Sequence, residues 1–349
     1  MNYHGGDIYR YTDEMTDFSS NINPLGVPES FKEVLLGELS SVTRYPDRMY
    51  RKLTRSIHDY IEKSEDEVAV VLGNGAVEVI YKAMQALPVE SVIIAAPTFS
   101  EYRRAAVHSG LMFNELILYD RCGRLRTGAL IDAISQRSLV VLCNPNNPTG
   151  TLTPRDDFLK LLEVLKSREG YLMVDETFIE FTSDYPCSSI IDERMDNLII
   201  IRALTKYFGM PGIRLGYGVF HNKELGQKVN GLMEPWHINT FADLAGQTVL
   251  YDRLYQEETR KWIREERAYM MNELKKLTQY TFLPTESNFI LVSSKKYTAL
   301  EIQEILLKDK ILIRLPEGFT GLGEREFRIA IKDRKSNMKL ISLLEEITS

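Results

Sequence analysis

The sequence predicts an α/β fold with a large domain, built on a mainly parallel doubly wound sheet, and a smaller α+β domain after it. Between residues 68 and 220, short apolar segments alternate with amphipathic helical segments, which is typical of a parallel sheet covered by helices. Beyond Tyr280 the pattern changes to strands grouped around one helix. We therefore expect an N-terminal arm over residues 1–30, a large domain over 31–240 and a small domain over 241–349.

The composition is that of an ordinary soluble globular protein. Of the 349 residues, 44% are hydrophobic and 26% are charged, and the formal net charge is -6. An acidic balance of this kind disfavours nucleic-acid binding. We see no apolar signal segment, no run as long as a membrane span and no metal-ligand spacing among the three cysteines. We therefore expect a cytoplasmic protein with reduced cysteines and with no metal site, membrane contact or nucleic-acid partner.

The apolar segments of the large domain are predicted to be buried strands. Each is short, rich in β-branched residues and bounded by turn-forming residues. The predicted strands are residues 68–72, 91–96, 138–143, 171–174 and 197–201. Because the carboxyl ends of such strands gather at one edge of an open α/β sheet, we expect the residues that follow them to form a single site.

Helical periodicity accounts for most of the remaining chain. One helix is expected to begin with Thr153 as its N-cap and Pro154 in its first turn, and to bury an apolar stripe from Phe158 onwards. The other predicted helices are residues 28–39, 50–62, most of 241–277, 299–308 and a last helix from about 336. The small-domain strands are predicted at residues 288–292, 311–314 and 326–331.

Lys206 falls just beyond the strand at 197–201, where open α/β sheets bind their ligands. A lysine there can form an imine with a carbonyl group if its surroundings lower its pKa toward neutrality. Arg214 follows in a loop punctuated by proline and glycine and is suited to holding a phosphate or a carboxylate. Taken alone, Lys206 has a second interpretation as a solvated loop lysine. The residues that follow the other predicted strands must distinguish the two interpretations.

Further chemical groups follow the other predicted strands. Gly73 and Gly75 leave backbone N–H groups free for an anion at a helix start, with a plain left-handed turn as the alternative. Phe99 is interpreted either as an aromatic side chain that stacks on a flat ligand ring or as a core residue. Asp175, directly after a buried strand, requires a cationic partner unless it only caps a turn. The loop 144–150, with three asparagines and two prolines, is rigid and offers side-chain amides.

This combination resembles the fold-type I pyridoxal-phosphate enzymes over nearly the whole chain. Pyridoxal phosphate requires an imine-forming lysine and an acid partner for its ring nitrogen. The resemblance implies that Lys206 binds the cofactor covalently and that Asp175 pairs with the ring nitrogen. It also implies that Asn147 binds the 3-oxygen of the ring and that Phe99 stacks on its face. The residues that it assigns to the cofactor phosphate are Gly75, Ala76, Val77, Thr205 and Arg214.

The same resemblance implies a homodimer with a shared active site. Tyr45 matches the residue that reaches the cofactor phosphate from the neighbouring subunit. Arg328 matches the arginine that binds the substrate's anionic group, and Arg314 is a candidate for a second one. His4 and Asn23 complete the residues assigned to the substrate, which is expected to be a small phosphorylated amino acid.

Two branches of this family remain open as interpretations. Histidinol-phosphate aminotransferases, which use 2-oxoglutarate, carry tyrosine at the position of Phe178. The threonine-phosphate decarboxylases are similar in four segments, residues 4–6, 17–26, 175–179 and 204–217. This similarity implies decarboxylation of O-phospho-L-threonine, or of O-phospho-L-serine, with aminopropanol phosphate as a product for the cobalamin nucleotide loop. A binding or regulatory protein that kept the cofactor fold is the non-enzyme alternative.

Overall fold

The short apolar segments of the large domain form the centre of the protein. The structure is a computed structural model that describes residues 4–348. Within these residues, a sheet of seven strands spans residues 69–220, and further strands form smaller sheets. Among the described helices, none combines the length with the apolar character that crossing a bilayer requires.

The elements are numbered in chain order. The strands are β1 (Thr16–Asp17), β2 (Ala69–Gly73), β3 (Ser91–Ala96), β4 (Met112–Ile117), β5 (Ser138–Cys143), β6 (Tyr171–Asp175), β7 (Leu198–Ala203), β8 (Gly216–Phe220), β9 (Tyr280–Phe282), β10 (Phe289–Ser294), β11 (Ile311–Leu312) and β12 (Glu326–Ala330). The helices are α1 (Glu29–Gly37), α2 (Arg51–Ile61), α3 (Ala76–Ala86), α4 (Glu101–His108), α5 (Thr127–Ala133), α6 (Arg155–Ser167), α7 (Leu204–Tyr207), α8 (Lys223–Asn230), α9 (Thr240–Val249), α10 (Arg253–Lys276), α11 (Ala299–Leu307) and α12 (Arg334–Thr348).

The large sheet is mainly parallel, as the sequence predicts. Its strand order is β2-β8-β7-β6-β5-β3-β4, and β8 is antiparallel to both of its neighbours while the other pairs are parallel. Hydrophobic cores lie on both faces, because successive side chains of a strand point to opposite sides. Ile93 packs into one core and Ile94 into the other. This two-sided burial explains why the central strands are almost continuously apolar.

Two strands of this sheet are absent from the sequence-based prediction. Strand β4 lies at the sheet edge, is only partly buried and carries the polar residues Asn114 and Glu115, so its apolar signal is weak. Strand β8 contains Gly216 and Gly218, which obscure the apolar pattern. The expectation for Thr153 is wrong, because the residue preceding α6 is Pro154 and no side chain caps that helix.

The remaining strands join the N-terminal arm to the C-terminal part of the chain. Strands β9, β10 and β12 form an antiparallel sheet, whereas β11 pairs in parallel with β1 of the arm. The predicted strand at 311–314 therefore lies beside the arm rather than inside the small sheet. Arg314 nevertheless forms an antiparallel bridge with Arg328 of β12, so these two arginines are neighbours. The boundaries at residues 30 and 240 stay predictions.

Candidate active site

A cavity of about 390 Å³ lies at the carboxyl ends of the parallel strands β3, β5, β6 and β7. Its wall includes one residue from the end of each strand or just beyond it: Phe99, Asn147, Asp175 and Lys206. The volume falls within the range typical of small-molecule sites. The structure therefore brings together groups that are far apart in the sequence and that share only their position at strand ends.

Lys206 lies on the single-turn helix α7, directly after β7, and its side chain is partly buried in the cavity wall. Burial, followed by the charges of Arg328 and Arg214, lowers the pKa of the Lys206 amine to about 8. An ordinary lysine is almost fully protonated at neutral pH, so this shift increases the fraction of free amine. The residue therefore has the environment that a nucleophilic or proton-transferring amine requires.

Asp175 ends strand β6 and is 5% exposed. The Tyr102 hydroxyl donates a hydrogen bond to Oδ2 at 2.7 Å, and the backbone N–H of Thr177 donates to Oδ1 at 2.9 Å. Burial raises the pKa of the Asp175 carboxyl group. Within residues 4–348 no cationic side chain forms an ion pair with it, although a buried carboxylate needs such a partner. A cationic group bound in the cavity would supply it.

The start of helix α3 and Arg214 form a concave anion site. Gly75 precedes the helix with a φ of 83°, and no side chain in the part of the chain that the structure describes caps the first backbone N–H groups. A Cβ atom on Gly75 would lie 2.2 Å from Arg214 Nη2, so only glycine allows the guanidinium to approach the helix start this closely. Ala76, Val77 and Thr205 line the cavity beside it. Free N–H groups with a nearby guanidinium are suited to a phosphate.

Arg328 and Arg314 also contribute a pair of guanidinium groups to the cavity wall. Arg328 donates to Asn147 Oδ1 at 2.5 Å and to the Ser19 carbonyl oxygen at 2.7 Å, and its Nε atom is buried without a partner among the described residues. Burial and then the charge of Arg314 lower the pKa of Arg328 to about 9, and burial lowers that of Arg314 to about 10. The site therefore favours an additional anion. Phe319 packs beside Arg314, with 4.7 Å between its ring centroid and Cζ.

Asn23, which the sequence assigns to the substrate, lies outside the cavity wall, and the assignment stays a prediction. Its amide donates to the Tyr207 carbonyl oxygen and to Thr259 Oγ1, both at 2.8 Å, and its Oδ1 accepts from the Leu25 N–H at 3.0 Å. Asn23 therefore ties its loop to the turn that carries the lysine, and it does not line the cavity. Asn21 does line the cavity, and its Oδ1 is buried without a partner among the described residues.

His4 and Tyr45 occupy different positions relative to the cavity. His4 lines it, with Nε2 at 2.9 Å from Glu101 Oε1. Tyr45 is exposed and stacks on Trp236 at a centroid distance of 4.5 Å, outside the cavity wall of its own chain. The predicted contact of Tyr45 with a partner subunit's cofactor stays a prediction.

Sequence reasoning missed Glu101 and Tyr102, which both line the cavity. They directly follow the segment 97–100 at the end of β3, so their position after a strand was the available signal. Phe178 is buried in the wall and packs edge-on against Phe289 at 5.0 Å. This residue brings no hydroxyl group to the site.

The residues present fit pyridoxal phosphate. The cavity contains an amine with a lowered pKa, a buried carboxylate without a cationic partner and an aromatic ring. It also contains an anion site at a helix start. The ring nitrogen of the cofactor would supply the cationic partner that Asp175 lacks among the described residues. The cofactor phosphate would occupy the anion site that Gly75 and Arg214 form. When bound, the cofactor withdraws electrons from the bonds at the substrate's Cα atom.

Comparison with known proteins places this chain in a family. The aminotransferase class I and II family matches residues 13–344. A protein of Caldanaerobacter subterraneus subsp. tengcongensis, provisionally named a threonine-phosphate decarboxylase, is 39% identical over 344 residues, covering 98% of this chain and 92% of the relative. The threonine-phosphate decarboxylase of Salmonella typhimurium is 33% identical over 356 residues, covering 99% and 96%.

A solved structure supports the same assignment. The histidinol-phosphate aminotransferase from Clostridium acetobutylicum has a TM-score of 0.88 and 36% sequence identity, and the match covers 95% of this chain and 98% of that chain. Lys206, Asp175 and the anion site at the start of α3 fit the pyridoxal phosphate of such enzymes. The chain therefore belongs to the aminotransferase class I and II family and is a pyridoxal-phosphate enzyme of fold-type I.

Proposed function

We propose that this enzyme decarboxylates O-phospho-L-threonine, giving carbon dioxide and 1-aminopropan-2-yl phosphate. The observation that carries the proposal is the pair of buried guanidinium groups, Arg314 and Arg328, beside the cofactor site. Both have lowered pKa values because of burial, so an anionic ligand is favourable there. A substrate that carries a phosphate and a carboxylate matches this wall, and the relatives named for threonine phosphate support the choice.

The chain's own residues would select which bond breaks. The orientation of the substrate would decide which bond to Cα breaks, so the residues that hold its anionic groups would select between decarboxylation and transamination. Arg314, Arg328 and His4 would hold the phosphate and would thereby orient the substrate's carboxylate for its loss. A proton then replaces the lost carboxylate at Cα. The amine of Lys206, with its pKa of about 8, is placed to donate that proton.

The choice between threonine phosphate and serine phosphate depends on one methyl group. A methyl group in an apolar pocket contributes about 1–3 kcal/mol of discrimination, so modest changes in the wall would change the preference. We propose threonine phosphate as the main substrate and serine phosphate as a slower one. The threonine product is the amino-alcohol phosphate that the cobalamin nucleotide loop requires.

A histidinol-phosphate-type aminotransferase is the second candidate. The similarity to the solved Clostridium structure, with a TM-score of 0.88 and 36% sequence identity, favours this candidate. Phe178 argues against it, because the hydroxyl of a tyrosine at this position would add a hydrogen bond to the ring's 3-oxygen. This candidate requires 2-oxoglutarate, whereas a decarboxylase does not.

We also propose that the protein is a homodimer in which each subunit completes the partner's site. A band of large apolar residues on α1, the loop between α1 and α2 and the loop before α9 is exposed. Exposed apolar groups in such a band are typical of a protein interface. The residues are Leu36, Leu39, Val42, Tyr45, Met49 and Trp236.

Product analysis with purified holoenzyme tests the reaction. With O-phospho-L-threonine alone, we expect carbon dioxide and an amino-alcohol phosphate, at a rate that 2-oxoglutarate does not change. O-phospho-L-serine should give the same chemistry at a lower kcat/KM. Formation of glutamate only when 2-oxoglutarate is present would show that the aminotransferase candidate is right. A Lys206→Ala variant serves as the control and should form neither product.

A further inference from the structure

Glu101 is, besides Asp175, a second acid in a cavity wall that also carries several cations. It begins helix α4, is 5% exposed and lines the same cavity as Lys206, Arg214 and Arg328. A carboxylate in this position would repel an anionic substrate unless protein groups already neutralise its charge. The role of Glu101 therefore depends on the groups to which it is hydrogen-bonded.

Protein donors bind both oxygens of the Glu101 carboxylate. His4 Nε2 lies 2.9 Å and Arg104 Nη1 2.8 Å from Oε1, and the Tyr81 hydroxyl donates to Oε2 at 3.0 Å. Although burial opposes it, these hydrogen bonds lower the pKa of Glu101 to about 2, so the carboxylate is charged at neutral pH. Tyr81 on α3 and Arg104 on α4 fix the carboxylate to the scaffold. His4 on the N-terminal arm is the group that the fixed carboxylate then holds.

The arm that carries His4 is also fixed from its other side. The Gly6 N–H donates to Ser19 Oγ at 2.7 Å. Gly5 lies so close to Ser19 that a Cβ atom on it would be 2.1 Å from the Ser19 carbonyl oxygen. The same carbonyl oxygen accepts a hydrogen bond from Arg328 at 2.7 Å. The arm therefore lies between α4 and the segment that contacts the substrate-binding arginine.

We propose that Glu101 is a positioning residue that holds His4 at the cavity edge, where the imidazole binds the substrate's phosphate group. Nε2 is occupied by Glu101, so Nδ1 is the ring nitrogen left for an anion, and it donates when the ring is protonated. The His4 ring lies beside Phe99, with 5.7 Å between their centroids, and is therefore next to the site of the reaction. This inference rests on the proposed class of phosphorylated substrates.

The substitution Glu101→Gln tests this role, because it keeps the shape and removes the charge. We expect the KM for O-phospho-L-threonine to rise about tenfold, the loss typical of one charge-assisted hydrogen bond, and kcat to change less than about threefold. His4→Gln should have the same effect, and the double variant should be no worse than either single variant. Glu115→Gln is the matched control, since Glu115 pairs with Arg103 at 3.2 Å outside the cavity, and its KM should equal that of the wild type.

Deuterium uptake by the peptide over residues 4–10 gives a readout that needs no turnover. Because Gly6 depends on the docked arm for its hydrogen bond, we expect faster uptake in Glu101→Gln and unchanged uptake in Glu115→Gln. A KM within twofold of the wild type, additive single effects or unchanged uptake would overturn the proposal. If the wild type decarboxylates no phosphorylated amino acid, the proposed function fails. The uptake comparison would then still decide whether Glu101 holds the arm.

Discussion

At the scale of one side chain, the amine of Lys206 illustrates how a residue proposed for catalysis opposes stability. Burial and neighbouring cations lower its pKa from 10.5 to about 8. The charged form is therefore less favourable in the folded than in the unfolded protein. Between about pH 8 and 10.5 the unfolded state binds more protons, so this residue makes stability rise with pH in that window. Below pH 8 the full cost of the buried charge is present.

A Lys206→Met variant tests this cost in the cofactor-free protein. At pH 7 we expect the free energy of unfolding to increase by about 1–3 kcal/mol, because a buried charge is replaced by an apolar side chain of similar length. The advantage over the wild type should shrink as the pH approaches 10.5. Urea unfolding at pH 7 and pH 10 measures both values. A variant less stable than the wild type at pH 7 would contradict the electrostatic explanation.

Asn21 and Asn23 show that residue type alone does not predict which of two neighbouring side chains lines the cavity. Both belong to one turn-forming segment, so sequence reasoning could not tell which amide faces a ligand. In the folded chain Asn23 is hydrogen-bonded to groups near Lys206 and on α10, whereas the side-chain Oδ1 of Asn21 is buried without a partner among the described residues. Contacts with distant elements, rather than the local sequence, determine which asparagine lines the cavity and which one fixes the loop.

At the scale of elements, the start of helix α3 depends on Gly75. We expect Gly75→Ala to weaken the binding of pyridoxal phosphate by about tenfold and to lower the free energy of unfolding by about 1–3 kcal/mol. The added Cβ atom would lie 2.2 Å from Arg214 Nη2, and a φ of 83° is unfavourable for alanine. Fluorescence titration of the cofactor and urea unfolding measure the two effects.

Gly212→Ala is the matched control for this helix start. Gly212 lies two residues before Arg214, and a Cβ atom on it would meet nothing within 4 Å. We expect its stability to stay within about 0.5 kcal/mol of the wild type, with unchanged cofactor affinity. Equal affinities for the Gly75 and Gly212 variants would refute the anion site at α3.

At the scale of the whole molecule, the proposed homodimer with a shared active site predicts that two inactive variants complement each other. We expect Tyr45→Ala and Lys206→Ala to be severely impaired when each is purified alone. A mixed dimer contains one native site, because the Lys206→Ala chain supplies Tyr45 to the partner whose lysine is intact. Random mixing should therefore restore about a quarter of wild-type activity.

Sedimentation measures whether the protein is a dimer, and mixing experiments measure whether the two subunits share a site. Tagged chains are co-expressed, the mixed species is isolated, and its turnover is compared with that of each parent. Activity no higher than that of the parents, or a monomer at working concentrations, would contradict the shared site. The exposed stacking of Tyr45 on Trp236 identifies the surface to examine.

Much of the architecture follows from local chemistry. Buried strands are apolar because both faces of the central sheet are covered, and strand ends share an edge because the strands are parallel. These two facts identify Phe99, Asp175, Lys206 and the asparagine-rich loop 144–150 as candidate neighbours before any coordinates are known. Strands β4 and β8 escape this reasoning, because an edge position and glycine residues weaken the apolar pattern.

The sequence alone thus determined the fold class, the lysine and the carboxylate, since each depends on periodicity or on position after a strand. Only the tertiary structure decided that Asn21 rather than Asn23 lines the cavity, and that Glu101 holds His4 from 97 residues away. It also decided that β11 pairs with the arm rather than with the small sheet. The physical reason is that these arrangements depend on hydrogen bonds between distant segments, and such partners leave no local pattern in the sequence.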